Sequence, residues 1–124
     1  MPARLRPLAP SEAAEVLDRI DAADEAATAP DREDLRAAVK HFLALLASRA
    51  PGKSVEVRVP PYAAVQCVEG ARHTRGTPPA VVEMDPSTWL ALARGRESFA
   101  EAQHSGRVRA SGERSDLTPL LPLA

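Results

Sequence analysis

The sequence is poor in aromatic residues and contains a single cysteine. Aromatic residues make up 3% of the 124 residues, so we expect a core built mainly from alanine, valine and leucine side chains. One cysteine, Cys67, excludes an intrachain disulfide, and its place in an alternating apolar run indicates a buried hydrophobic side chain, not a nucleophile. The apolar runs are too short to cross a bilayer, and Met1–Pro10 contains no hydrophobic segment of signal-peptide length. We therefore expect a cytoplasmic protein with no transmembrane segment.

A large charge excess of either sign is also missing. The formal net charge is −1, whereas a dedicated nucleic-acid-binding domain normally carries a basic excess, so we expect no nucleic-acid partner. The charge is nevertheless unevenly distributed, since residues 1–34 contain nine acidic and four basic residues and residues 35–82 contain seven basic and two acidic ones. The simpler interpretation is an attraction between an acidic first helix and the middle of the chain. The alternative is an anion-facing surface near Arg72–Arg75.

Residues 11–49 have the periodicity of two amphipathic helices. Ser11 is the candidate N-cap of the first helix, and Asp31 is that of the second. Apolar residues then recur at spacings of three and four, most regularly in the second helix. Residues 1–10 contain three prolines, which indicates an extended N-terminal arm. We expect residues 11–124 to form one domain, because a chain of this length can bury one modest core.

The period changes from 3.6 to two at Ser54, which predicts a sheet within residues 54–124. Valines alternate with polar residues over Val55–Val59, and the run Pro60-Pro61 interrupts the chain there without requiring a reversal. Further strands are predicted at Tyr62–Val68, at Ala80–Met84 and around Val108–Ala110. Four strands with one apolar face each are typical of a sheet that packs on helices.

The stretch from Asp85 to Gly112 predicts two short helices before the last strand. Asp85 is a candidate cap for a helix that starts at Pro86 and stops at Gly95. Ser98 followed by Glu101 forms a capping box for the second helix. A last apolar patch within residues 117–123 predicts a terminal helix.

These motifs resemble a known family. The segments VEVRVPPYAAVQCVEGARHTRGTPPAVVEMD and DPSTWLALARGRESFAEAQHSGRVRASGERSDL, which together span about Val55 to Leu123, resemble the small, stand-alone bacterial members of the sterol carrier protein 2 (SCP-2) family. The resemblance implies an α+β fold, SCP-2-like, with a mostly antiparallel sheet of four or five strands and helices on one face. It also implies a non-enzymatic carrier of a lipid or other hydrophobic small molecule, in which the terminal helix is a movable cover.

One set of apolar residues is the candidate ligand-binding lining. Ordinary core packing is the alternative interpretation of the same set, and it requires no ligand. The set comprises Val65, Val82, Met84, Trp89, Leu92, Phe99, Val108, Leu117, Leu120 and Leu121.

The segment GARHTRGTPP, residues 70–79, is the candidate anion-binding loop. Arg72, His73 and Arg75 lie there beside two glycines, and guanidinium groups with free loop N–H groups suit a phosphate or a carboxylate, including an acidic lipid headgroup. The segment lacks the Gly-Lys-Ser/Thr ending of a phosphate-binding loop. A polar loop that joins two strands is the alternative.

No catalytic or metal-binding constellation is recognisable. The three histidines are scattered, and no serine lies in a nucleophile elbow. We therefore expect no enzyme activity, no metal and no cofactor. Three hypotheses remain: the lipid carrier; a filled-core module that binds a protein partner or forms a homodimer; and, least favoured, an enzyme or nucleotide-binding regulator centred on Arg72–Arg75.

Overall fold

The computed structural model describes residues 5–70, 80–112 and 115–123. The α+β class predicted from the sequence is confirmed. In chain order the elements are α1 (Pro10–Glu25), α2 (Arg32–Arg49), β1 (Val55–Val59), β2 (Ala63–Cys67), β3 (Ala80–Met84), α3 (Pro86–Ala93), α4 (Phe99–His104), β4 (Val108–Ser111) and a short 3₁₀ turn (Thr118–Leu120).

Within the described residues, the four strands form one sheet in the order β2-β1-β3-β4. The β1/β2 and β3/β4 pairs are antiparallel, and the central β1/β3 pair is parallel. Pro60 and Pro61, joined by a cis peptide bond, form the turn of a β1/β2 hairpin, in which the Tyr62 N–H donates to the Val59 carbonyl at 3.0 Å. The chain therefore reverses at this point, a possibility that the sequence had left open.

Alternation along the strands gives the sheet two different faces. Val57 is level with Val65 on β2 and with Val82 on β3, and this row faces the helices. The opposite face is polar: Arg58 is level with Glu83. Helix α2 packs against both β2 and α3. Helix α4 packs on β4, and α1 covers α2. The four described helices thus lie on the apolar side, as the sequence resemblance implied.

Side-chain caps determine where three of the helices begin. Asp31 accepts from the Glu33 N–H at 2.8 Å, and Asp85 accepts from the Thr88 N–H at 2.8 Å. The Ser98 hydroxyl accepts from the Glu101 N–H at 3.1 Å and donates to the Glu101 carboxylate at 2.8 Å, which is the predicted capping box.

Helix α1 begins without a side-chain cap, which corrects the prediction for Ser11. Ala9 is its N-cap residue, and Pro10 is its first helical residue. Proline has no N–H to satisfy and its φ is already helical, so the helix starts two residues earlier than Ser11 as N-cap would place it.

The predicted terminal helix is reduced to the 3₁₀ turn Thr118–Leu120. Pro119 and Pro122 lack the N–H groups that an α-helix needs to continue. The chain instead lies extended after the turn, with Leu117 and Leu123 buried. We call residues 115–123 the C-terminal segment.

An ion pair attaches α1 to the end of α3. Arg94 donates to both carboxylate oxygens of Asp21, at 2.8 Å each, and Arg96 reaches one of them at 3.4 Å. The hydrogen bonds from Arg94 lower the pKa of Asp21 from 3.8 to about 2. The acidic first helix is thus paired with the last third of the chain at Asp21.

This ion pair makes the free energy of unfolding depend on pH in the acidic range. Because the pKa of Asp21 is depressed in the folded chain, its stabilisation is complete above about pH 4 and is lost as the pH falls through about 2. The side chain is 33% exposed, so after allowance for solvent screening we expect a contribution of about 1–2 kcal/mol. Urea unfolding of the wild type and of Asp21→Asn should differ by this amount at pH 7 and converge near pH 2. Asp24→Asn, on an exposed residue of the same helix, is the control, and equal effects of the two substitutions would contradict the prediction.

Candidate functional site

The C-terminal segment is held against the helices by backbone hydrogen bonds. The Leu123 N–H donates to the Ala93 carbonyl at 2.8 Å. Arg49, the last residue of α2, donates from Nη1 to the carbonyls of Leu120 at 3.0 Å and Pro122 at 2.7 Å. Because these contacts use main-chain oxygens, they hold the position of the segment with little dependence on its side chains. Arg49 therefore holds the C-terminal segment at the end of α2.

A groove of about 390 Å³ opens between this segment and the start of α4. We call it the C-terminal groove. Its apolar wall consists of Leu92, Phe99, Leu121 and Pro122, and its polar rim includes Arg96, Glu97, Glu101 and Thr118. Leu92 and Phe99 are nearly fully buried at its base, and Leu121 is half-buried. The groove thus leads from solvent to the edge of the core.

The structure brings the ten predicted lining residues together around one core. Val65, Leu120 and Leu121 are half-buried and pack against the core cluster that contains the others. Leu92, Phe99 and Leu121 line the C-terminal groove. The buried members of the set are Val82, Met84, Trp89, Leu92, Phe99, Val108 and Leu117. Their packing in the core is established, and their role as a ligand lining stays a prediction.

Comparison of the sequence with protein families gives a match that covers most of these elements. The sequence pattern of one family, described as "Bacterial SCP ortholog", matches residues 31–123, which run from the cap of α2 to the C-terminal segment. The chain belongs to this bacterial SCP family. The resemblance to bacterial sterol carrier proteins drawn from the sequence is thereby confirmed. No curated protein matches the chain.

In this bacterial SCP domain, the match includes the whole C-terminal groove and Arg49. Helix α1 and the arm before it lie outside the matched residues. The groove is therefore a feature that the family pattern spans, whereas the Asp21–Arg94 pair joins a matched element to an unmatched one.

The charged groups at the rim of the C-terminal groove have partners in the SCP domain itself. Arg96 contacts Asp21, and Glu97 accepts from Arg107 Nη1 at 2.7 Å. Glu101 is held in the capping box by Ser98. Because these charges are already paired, they offer a weak site for a charged ligand, and the apolar wall is the part of the groove suited to binding.

The anion-binding prediction falls outside the described residues. Arg72, His73 and Arg75 all lie within residues 71–79, so the predicted loop stays a prediction.

The buried thiol and one histidine have structural roles. Burial raises the pKa of Cys67 to about 11, so the thiol is protonated near neutral pH, as its apolar surroundings in the sequence indicated. His41 Nδ1 accepts from the Leu8 N–H at 2.9 Å and anchors the N-terminal arm on α2, and partial burial lowers its pKa. Neither group lies in the C-terminal groove.

Sequence reasoning missed Arg49. A basic residue in the last turn of a helix ordinarily indicates only a favourable interaction with the helix dipole. Its partners are carbonyl oxygens 71 and 73 residues away, and a carbonyl has no signature in the sequence. In the part of the chain that the structure describes, no helix combines the length and apolar character needed to span a membrane.

Proposed function

We propose that this bacterial SCP domain is a non-enzymatic carrier that binds a lipid or another hydrophobic small molecule in the C-terminal groove. The observation that carries the proposal is the convergence of Leu92, Phe99 and Leu121 at one opening beside the C-terminal segment. These residues come from three different parts of the chain, and the family match spans all of them. The paired charges at the rim support an apolar ligand over an ionic one.

Burial of apolar surface supplies the binding free energy. Each square ångström removed from water contributes roughly 25 cal/mol, so a hydrocarbon tail that buries about 200 Å² gains roughly 5 kcal/mol before the costs of association. Ligand pockets for small molecules generally have volumes of about 300–1,000 Å³, and the groove of about 390 Å³ lies near the lower limit. A long tail therefore requires the groove to widen.

The C-terminal segment is the element that moves to admit the tail. Its release breaks the bonds from Arg49 and the Leu123–Ala93 hydrogen bond, and it exposes Leu117 and Leu123 to water. A bound tail then replaces these leucines against the core, which offsets the cost of the opening. The segment functions as a cover although it is not an α-helix.

Leu121→Glu should weaken binding of a fluorescent fatty acid or fluorescent lipid by at least tenfold. The substitution places a carboxylate in the apolar wall of the groove, where a bound tail would have to desolvate it. Because Leu121 is only half-buried, we expect a loss of stability of about 1 kcal/mol. Fluorescence titration measures the binding, and thermal unfolding measures the stability.

Leu17→Glu is the matched control. Leu17 lies on α1, is also half-buried against the core and does not line the groove. It should lower the melting temperature by a similar amount and leave the affinity unchanged. Equal affinities of the wild type and Leu121→Glu, or a failure of the wild type to bind any member of a panel of fatty acids and lipids, would overturn the proposal. Native mass spectrometry and organic extraction of the freshly purified protein then identify the ligand class.

A further inference from the structure

Among the described strands, β2 lies at one edge of the sheet, and a row of its backbone groups faces away from β1. The Ala80 N–H donates to the Ser54 carbonyl, which turns the peptide groups of Glu56 and Arg58 toward β3. The peptide groups of the valines that alternate with Glu56 and Arg58 along β1 consequently pair with β2. The alternation along β2 then leaves the N–H and C=O groups of Ala64 and Gln66 on the outer edge. An extended segment added here has backbone partners ready.

A groove of about 760 Å³ runs beside this edge. We call it the β2 groove. Ala44 and Ala47 of α2 and Val65 of β2 give it an apolar floor, and Leu5 of the N-terminal arm forms part of the far wall. In the described part of the arm, the Leu8 N–H donates to His41 and the Ala9 carbonyl accepts from the Ala13 N–H, and neither hydrogen bond involves β2. Among the described residues, the groove lies between the arm and the strand edge, and Ala64 and Gln66 are exposed.

Basic side chains lie near both ends of the β2 edge. Arg6 and Lys53 line the β2 groove beside Gln66, and none of the described residues that line this groove is acidic. At the other end, Arg32 and Arg36 line a second groove beside Tyr62, together with Glu33. The strand between these ends has five residues, a length of about 17 Å.

We propose that the β2 edge binds an extended acidic peptide segment of a partner protein, which adds to the sheet as a fifth strand. The backbone of the segment pairs with Ala64 and Gln66, and its small apolar side chains contact the floor of the β2 groove. Acidic residues at its two ends lie near Lys53 and Arg36. This interaction is separate from the carrier proposal and does not depend on it.

The charge distribution favours an acidic partner over a second copy of this chain. In an antiparallel pairing of two β2 strands, the end with Lys53 meets the end with Arg36 of the other copy, so positive charge faces positive charge. A lipid tail would fill the apolar floor and leave the outward N–H and C=O groups of Ala64 and Gln66 without partners.

The test uses the full chain and a fluorescein-labelled nine-residue peptide with two glutamates at each end and an alternating valine–threonine centre. Fluorescence anisotropy should show saturable binding, and amide hydrogen exchange at Ala64 and Gln66 should slow by at least tenfold. A peptide with lysines in place of the glutamates should bind at least tenfold more weakly. Lys53→Glu should also weaken binding of the acidic peptide by at least threefold. The affinity of this variant should depend on salt concentration no more steeply than that of the wild type.

Gln66→Pro removes one outward N–H and should reduce peptide binding at least tenfold, whereas the matched variant Gln66→Thr retains that N–H and should bind like the wild type. Should the proline variant fail to fold, Lys53→Glu still tests the proposal. Leu121→Glu, which alters the other groove, should leave peptide binding unchanged and so separates this proposal from the carrier function.

Three results would overturn the proposal. The first is equal binding of the acidic and lysine peptides. The second is protection of Ala64 and Gln66 by vesicles of anionic phospholipid but not by the acidic peptide, which assigns the edge to a membrane. The third is protection that rises with protein concentration in the absence of peptide, which assigns it to a second copy.

Discussion

Replacement of Trp89 by alanine should lower the free energy of unfolding by about 3–5 kcal/mol. Trp89 is fully buried on α3, and its indole N–H donates to the Val39 carbonyl of α2 at 3.3 Å. The truncation removes the largest side chain of the core, leaves a cavity between α3 and α2, and leaves the bond to Val39 unmade. Since small domains have a total stability of about 5–15 kcal/mol, the variant should be partly unfolded at moderate temperature.

Urea unfolding followed by far-ultraviolet circular dichroism measures this loss. Trp89→Phe is the graded control: it keeps an aromatic ring and loses the hydrogen bond and some volume, so we expect a loss of about 1–2 kcal/mol. If Trp89→Ala cost less than about 1 kcal/mol, the indole would not be packed as described. The core of this sterol-carrier-like domain would then be incompletely packed around residue 89.

Replacement of Gly52 by alanine should cost more than about 3 kcal/mol. Gly52 has a φ of +150°, and it joins the end of α2 to β1. A Cβ at this position would lie 2.2 Å from both the carbonyl carbon and the carbonyl oxygen of Val68. Both obstacles are backbone atoms, so the clash is relieved only if the α2–β1 connection moves away from the end of β2.

Gly106→Ala is the matched control for Gly52→Ala. Gly106 also has a positive φ, of +80°, but a Cβ there would have no atom within 4 Å. Only the unfavourable left-handed backbone remains, so we expect a loss of about 1–2 kcal/mol. The two free energies of unfolding, measured by urea titration under the same conditions, separate the steric clash from the backbone cost. Equal losses for the two variants would show that the Val68 carbonyl does not restrict residue 52.

Much of the fold was predictable because its signals are local. Helix α2 shows apolar residues at helical spacing, and β1 alternates between valines and polar residues. The caps Asp31, Asp85 and Ser98 act on backbone N–H groups two or three residues away, so each needs only a short stretch of sequence to be recognised.

The predictions that failed are those in which proline overrides a neighbouring signal. Ser11 is a good N-cap by type, but Pro10 begins the helix before it. The leucines after Leu117 have an apolar pattern, but Pro119 and Pro122 restrict the chain to a 3₁₀ turn and an extended end. In both cases proline, which lacks a backbone N–H, determined the backbone conformation. The capping residue in one case and the apolar pattern in the other did not.

The candidate site was predictable in its residue types and not in its geometry. The sequence indicated that Leu92, Phe99 and Leu121 are apolar and belong to one region. It contained no sign that Arg49 bonds to the carbonyls of Leu120 and Pro122, because main-chain oxygens occur at every residue.

The sequence by itself determined the helices, the strands, most of their ends and membership in the bacterial SCP family, because those depend on periodicity, on caps and on short motifs. Only the tertiary structure decided that β3 lies parallel beside β1, that Arg94 holds Asp21 across 73 residues, and that β2 lies at an edge of the described sheet with basic side chains near both ends. These features depend on which distant segments come together. Packing of the apolar faces selects that arrangement for the whole chain at once, so no short stretch of sequence contains it.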